Sequence, residues 1–301
     1  MPGFAENMDF GKEIIGQEKI SIHSESIASE KHPESNEDAF FELSDKRIAG
    51  VLDGMGGHAD GREAAQTALE SLKNRFDKMP TNLSLDEQTK FISDTILEAQ
   101  KSLRDKCRAQ DSNMGTTLAL ASIWKDKNGE RKLIAANVGD SRVYLYRAGK
   151  LTQITEDDSV LKGIQNPSER KRYNELLNNI TNLTELDSTD LKYARTYFKM
   201  RHRIDQYLGM KEDDKNRKDI TPSILVPNII PIDLRTGDRI IICTDGISDN
   251  LTDREMEGII KTNQNGNDLV GKLVSESQTR SKSEHLRAKR DDMTVVAMEV
   301  N

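Results

Sequence analysis

The chain has 301 residues, of which 35% are hydrophobic and 32% charged, and a net charge of -7. That length can bury a sizeable core in one large domain or two, while the acidic balance argues against a nucleic-acid partner held by phosphate contacts. No run approaches the roughly 20 apolar residues of a membrane span, and two cysteines, Cys107 and Cys243, without metal-ligand spacing argue against structural zinc and a disulfide framework.

The first 19 residues show no sustained period and read as a mobile lead without the apolar core of a signal peptide, so the expectation is a cytoplasmic protein folded from Ile20 onward. Short β-rich runs at Arg47 to Leu52, Thr117 to Trp124, Lys132 to Val138, Arg142 to Arg147, Arg239 to Cys243 and Thr294 to Val300 predict strands. After the first of them, Ala64, Ala65, Ala68, Leu69, Leu72 and Phe76 share one helical face, and Ile92, Ile96, Ala99 and Leu103 repeat the pattern. A further helix is predicted from Leu269 toward Arg287. Residues Asp158 to Asp219 are polar, with helical patches at Glu169 to Asn179 and Leu191 to Leu208, and read as a helical insertion. Strands and helices in blocks favour an α+β fold of packed antiparallel sheets over a doubly wound parallel sheet.

The aspartates fall at strand ends. Asp53 closes Ile48 to Leu52 and precedes Gly54, Gly56 and Gly57, and Asp245 closes Ile240 to Thr244 and precedes Gly246. An aspartate fixed by a buried strand, followed by a glycine that admits close backbone approach, suits a hard cation. Asp-Gly is also common turn chemistry, so either instance alone decides little. Asn36-Glu37-Asp38, Gly139-Asp140-Ser141-Arg142 and Arg290-Asp291-Asp292-Met293-Thr294 add carboxylates beside further strands. Carboxylates gathered this way raise one another's pKa unless metal or a strong basic counterweight is present. Oxygen-only ligands point to magnesium or manganese.

At these residues the sequence resembles the metal-dependent protein phosphatase family, the PPM or type 2C phosphatases. The resemblance runs in family order through Ser35 to Phe40, Val51 to His58, Gly115 to Leu118, Asn137 to Arg142, Leu151 to Ser159, Thr244 to Asp249 and Arg290 to Thr294. It implies a central antiparallel β-sandwich flanked by helices on both faces, a four-layer α/β/β/α arrangement, as one catalytic domain over residues 20-301 with an enlarged flap-like insertion at about 159-219. It implies a bacterial-like phosphoserine/phosphothreonine phosphatase with two Mn2+ or Mg2+ ions. Asp53 would bridge them and Gly54 would offer its carbonyl, with Asp245 and Asp291 completing one position, Glu37 holding the other and Asp38 acting through water or a neighbouring ligand. Asp140, Asp245 and Asp249 match a more weakly occupied third position. Phosphorylated proteins, a cognate serine/threonine kinase among them, are the implied partners of a monomer that binds neither nucleic acid nor membrane.

The pattern is broken in places. Pro33 stands where many members carry a phosphate-gripping arginine, with Lys31 and His32 as neighbouring cations. Met55 stands where some members have a proton-donating histidine, and His58, three residues on, is the alternative catalytic donor beside Asp53, Asp245 and Asp291. Asp292 replaces a commoner asparagine, either adding charge to the site or capping the turn. Arg142 is read as pairing with a carboxylate, and Arg201 to Gly209 as the end of the flap. Cys243, in an apolar strand, is an inert thiol. A catalytically weak phosphoprotein-binding scaffold and a metal-dependent hydrolase of another phosphoester remain the competing readings.

Overall fold

A computed structural model of the chain describes residues 20–210 and 227–301. The expected mobile lead and the insertion's last residues, 211–219, therefore lie outside the described residues. In chain order β1 (Ile20–Ile27), β2 (Asp38–Leu43) and β3 (Ile48–Met55) lead into α1 (His58–Phe76) and α2 (Leu85–Gln110), followed by β4 (Gly115–Thr116), β5 (Leu118–Lys125), β6 (Arg131–Val138), β7 (Arg142–Arg147) and β8 (Lys150–Gln153). Then come α3 (Pro167–Leu177), α4 (Leu183–Ser188), α5 (Ala194–Lys199), β9 (Asn228–Asp233), β10 (Arg239–Cys243), α6 (Asp245–Ser248), α7 (Asp253–Thr262), α8 (Gly266–Ser281) and β11 (Met293–Val300).

Two antiparallel sheets stack face to face. One runs β2-β3-β5-β6-β9, with β4 on the end of β3, and the other β1-β11-β10-β7-β8. Alternate residues of each strand point to opposite faces, and the buried clusters follow that period. Ala49 and Val51 of β3, Ala119 and Ala121 of β5, Ile240 and Ile242 of β10, and Val296 and Met298 of β11 fill the space between the sheets. Ile48 and Leu52 turn outward to meet Ala64, Ala68, Leu72, Ile92, Ile96 and Leu103 of α1 and α2. On the far side Ile241, Cys243, Val295 and Ala297 meet Met256, Leu269, Leu273 and Val274 of α7 and α8. The expected four-layer arrangement is present. Capping boxes fix where α2 and α7 begin: the hydroxyls of Ser84 and Thr252 accept the amides of Glu87 and Glu255, whose carboxylates accept the cap amides in return.

The segment read as an insertion has a core of its own, in which Tyr173, Leu177, Ile180, Leu186, Ala194 and Phe198 are buried together. The helical patch expected at Leu191 to Leu208 is shorter, because α5 ends at Lys199. Beyond it the chain is drawn into extended bridges between Ile204 and Ser159 and between Leu208 and Thr116, so tertiary pairing overrides helical propensity. Likewise α8 stops at Ser281, before Arg287.

Candidate metal centre

Strand register assembles the acidic cluster. Asp38 lies opposite Asp53 across the β2–β3 ladder. Because Ala49 and Val51 face the space between the sheets, Asp53 faces it too, at the edge where the apolar filling ends. Asp53 is held by its backbone: its amide donates to Thr117 Oγ1 at 3.1 Å, and its carbonyl accepts the Thr117 amide at 2.8 Å and the Thr116 hydroxyl at 2.9 Å. The other sheet delivers Asp245 at the end of β10, and the turn of α6 sets Asp249 one helical turn on, its amide donating to the Asp245 carbonyl at 2.8 Å. Thr244 ties the sheets together by donating its hydroxyl to Asp38 Oδ2 at 2.9 Å. A Cβ on Gly246 would strike the backbone carbonyl of Asp292, so only glycine lets the loops bearing Asp245 and Asp291 pass this closely.

Burial first, then the charges of Asp38, Asp245 and Asp291, push the Asp53 carboxyl well above the usual carboxylate range, against the opposing effect of Lys289. Burial also dominates at Asp38 and Asp140, both raised well above that range, and at Asp245, raised despite Lys289. Asp249 behaves oppositely. Burial would raise it, but the hydrogen bond from His202 and the charges of Lys289 and Arg201 outweigh burial and hold it well below. The cation within the cluster is Lys289, whose ammonium contacts Asp245, lies 2.9 Å from Asp291 and 3.6 Å from Asp249, and is kept protonated by these carboxylates despite its burial.

Asp38, Asp53, Asp245 and Asp291 converge, and Asp140 joins them on the side of Asp245 and Asp249. Glu37 and Gly54 are neighbours, the Gly54 amide donating to the Glu37 carbonyl at 3.2 Å. The side chain of His58, the first residue of α1, lies outside the described residues. Asp292 organises the loop carrying Pro33, accepting the amides of Ser29 at 2.7 Å and Glu37 at 2.6 Å. His32 donates Nδ1–H to the Ser35 carbonyl at 2.7 Å and lies 3.6 Å from Asp292. Burial disfavours its charge, but that carbonyl and the carboxylates of Asp292, Glu37 and Asp291 raise its pKa. Arg142 pairs with Asp157 in the expected structural manner, at 2.7 Å in its closest contact. Burial pushes the Cys243 thiol up to about 12, consistent with an inert side chain.

Lys289 and Thr244 were not singled out as functional in the sequence. The alternation Lys-Arg-Asp-Asp before β11 carries a signal for Lys289, since a residue two before Asp291 shares its side of an extended chain. Arg201 and His202 reach Asp249: Arg201 Nε is 3.3 Å from Asp249 Oδ1 and His202 Nδ1 is 2.7 Å from Asp249 Oδ2.

The donor set fits divalent cations. Asp38 Oδ1 and Asp245 Oδ1 are buried without a hydrogen-bond partner, which is costly for a carboxylate unless something positive meets it. The raised carboxyls of Asp38, Asp53, Asp140 and Asp245 report the same unmet demand for positive charge. All are hard oxygen donors of the kind magnesium and manganese take.

The sequence profile of the family Protein phosphatase 2C matches residues 21–286. The chain belongs to the protein phosphatase 2C family. Among relatives of this phosphatase family, the serine/threonine phosphatase stp of Listeria innocua is 25% identical over 275 residues, covering 90% of this chain and 92% of that one. The Listeria monocytogenes stp is 27% identical over 234 residues, 77% and 78% of the two chains. The family fold is shared with the crystal structure of the Mycobacterium tuberculosis serine/threonine phosphatase PstP/Ppp, at a TM-score of 0.67 and 23% identity, covering 94% of this chain and 99% of that one. A second structure of the PstP catalytic domain, in complex with two manganese ions, aligns at a TM-score of 0.65 and 22% identity over 93% of this chain and 97% of that one.

Proposed function

We propose that this protein phosphatase 2C chain hydrolyses phosphoserine and phosphothreonine in proteins at the carboxylate cluster between its two sheets. The observation that carries the reading is the convergence of Asp38, Asp53, Asp245 and Asp291 from four separate segments onto one partly buried spot, with a carboxylate oxygen of Asp38 and one of Asp245 buried and unpartnered. Bound there, two Mn2+ or Mg2+ ions supply water of lowered pKa and neutralise charge on the phosphoryl oxygens. Asp53 would serve both positions and Gly54 would offer its backbone carbonyl, with Asp245 and Asp291 completing one position and Glu37 helping to hold the other. Asp38, hydrogen-bonded to Thr244, would orient the second through water. Residues 20–301 act as a single catalytic domain. Lys31 and His32, whose pKa is raised against its burial by the Ser35 carbonyl and nearby carboxylates, neighbour the position of the absent arginine and could capture the phosphate dianion in place of a guanidinium fork. His58 is the alternative proton donor to the leaving serine or threonine.

A cognate serine/threonine kinase as the opposing enzyme, a monomeric state and cytoplasmic residence complete the proposal; no helix among the described residues is long and apolar enough to cross a membrane. The test is Mn2+- or Mg2+-dependent phosphate release from phosphoserine and phosphothreonine peptides. Asp53→Asn and Asp245→Asn each lower kcat at least about 100-fold, the scale of removing a group that organises transition-state charge; unchanged rates in both refute the metal assignment. The insertion, as an enlarged flap, selects the phosphoprotein. Deleting residues 164–199 also removes the Leu177 carbonyl that Arg287 holds, so the readout is the ratio of kcat/KM for a phosphoprotein to that for a small phosphate ester, which falls about tenfold; an unchanged ratio sinks that role.

A further inference from the structure

A cleft of about 890 Å3, whose lining includes none of the metal-site carboxylates, runs along β8, the outermost strand of its sheet, with α3 and the start of α7 as its walls. That volume lies in the range of ligand-binding clefts. Strand register decides which backbone groups face it. The β7–β8 hairpin turns on Ala148 and Gly149, both at positive φ, so Arg147 and Lys150 exchange hydrogen bonds with each other, and with a period of two so do Leu145 and Thr152. The Ile154 amide, donating to the Val143 carbonyl at 2.8 Å, continues that series. Leu151 and Gln153 therefore turn their amides and carbonyls away from β7 and toward the cleft. Glu257 of α7 accepts the Leu151 amide at 2.8 Å, but the Leu151 carbonyl and both backbone groups of Gln153 meet no hydrogen-bond partner among the described residues. Proteins usually cover or blunt such an edge. Here α3 and α7 leave a slot beside it.

Charge narrows what the slot takes. Its carboxylates are already engaged: Glu156 with Arg170, Glu175 with Lys171, Asp253 with Asn178, and Glu257 with the Leu151 amide. Among its cations, Lys150 and Arg254 are exposed and have no carboxylate partner among the described residues. The surplus is positive, and an acidic segment complements it.

The sheet also sets the distance to the metal centre. A strand added outside β8 would lie three strand spacings from β10, and Gln153 lies opposite Tyr144, itself opposite Ile241, in the strand that ends at Asp245. The added strand is thus about 19 Å from Asp245, which roughly six extended residues span. Because β8 runs toward the metal-centre end of the sheet, an antiparallel partner, the slightly stronger pairing, would have its N-terminal end nearer the carboxylates.

We propose that the β8 cleft binds an acidic, extended segment of the phosphoprotein substrate as an added antiparallel strand, starting about six residues C-terminal to the phosphorylated serine or threonine. This rests on the serine/threonine phosphatase reading above and adds a feature of its substrates. Backbone pairing with Leu151 and Gln153 fixes the register of the segment, and Lys150 and Arg254 select its charge.

The test compares two phosphothreonine peptides turned over by the Mn2+-loaded full chain, one ending just after the phosphothreonine and one continuing into a glutamate-rich extension. The extension lowers KM about tenfold with kcat unchanged, the scale of a few exposed hydrogen bonds and ion pairs. The double variant Lys150→Glu, Arg254→Glu loses that advantage while turning over the short peptide as the wild type does. N-methylating alternate amides of the extension separates strand pairing from loose charge attraction: one parity abolishes the advantage and the other keeps it. A wild type indifferent to the extension, an advantage that survives in the double variant, or equal effects of the two parities overturns the proposal. Mn2+-dependent turnover of the short peptide reports the catalytic reading alone. Fluorescence anisotropy of the unphosphorylated extension reports docking even where no phosphate is released, so the two readings fail separately.

Discussion

Lys289 places its ammonium among the carboxylates that would hold metal. Its ammonium lies 2.9 Å from Asp291 and contacts Asp245, so it occupies carboxylates assigned to a metal. A cation on a flexible stem and a divalent ion cannot both hold the same oxygens, and the divalent ion wins only after displacing the ammonium. Removing the competitor while keeping the apolar stem therefore strengthens metal binding. Lys289→Met is expected to lower the apparent Kd for Mn2+ about tenfold, equivalent to about 1.4 kcal/mol, measured by titration with EPR detection of free Mn2+. A Kd unchanged or raised would mean that the lysine is no competitor. A raised KM for phosphopeptide alongside tighter metal binding would show that the same ammonium also meets substrate.

Arg287 plays the corresponding part for a whole element. It is fully buried, yet its nearest partners are neutral carbonyls: Leu177 at the end of α3 at 2.7 Å and Ser248 of α6 at 2.8 Å. Burial, with Arg201 and Arg142 nearby, lowers its pKa to about 10, against the pull of Asp249. One guanidinium thus joins the insertion to the short helix that carries Asp245 and Asp249. Arg287→Met fills similar volume but leaves those carbonyls without a donor, so a loss of about 3 kcal/mol in urea unfolding is expected, with faster proteolysis of the insertion. A stability loss under about 1 kcal/mol would show that water replaces the guanidinium. None of this is visible in the sequence, where Arg287 reads only as the end of the helix predicted from Leu269. The strands that were legible were the apolar ones buried on both faces, such as β5 and β10, because a continuous apolar run announces itself. The edge strand β9 was not, since Pro231 breaks the pattern; at the sheet's edge a proline opposite Ile134 costs no ladder bond that matters. In the site, Asp53 and Asp245 could be read from strand-end position and glycine neighbours. Arg201 and His202 reach Asp249 only through folding of the insertion, which no local spacing encodes.

The assembly of both sheets, the helices and the insertion around one acidic cluster makes the stability of the entire molecule a function of pH and metal together. Asp38, Asp53, Asp140 and Asp245 all have folded pKa values above the ordinary 3.8. Each binds its proton more tightly folded than unfolded, so its contribution to the metal-free protein is fully present below about pH 3.8 and is lost as pH rises through the folded value. Asp249, held below that range, has the opposite sign, and its contribution is lost only on strong acidification. Four groups against one leave the metal-free chain losing stability from this cluster as pH climbs from about 4 toward neutrality. Divalent ions reverse the slope, because they bind the deprotonated carboxylates and compete with protons for them. The gap between the curves should therefore widen with pH. At saturating Mn2+, about 100 times its Kd, the gain near pH 7.5 is about 2.7 kcal/mol, or roughly 4 °C in Tm for a chain of this size, shrinking to little at pH 5. Scanning calorimetry with EDTA and with Mn2+ across that interval measures the difference directly. Parallel curves would mean that the carboxylates are ionised and screened without metal, and the unpartnered oxygens of Asp38 and Asp245 would then need another source of positive charge.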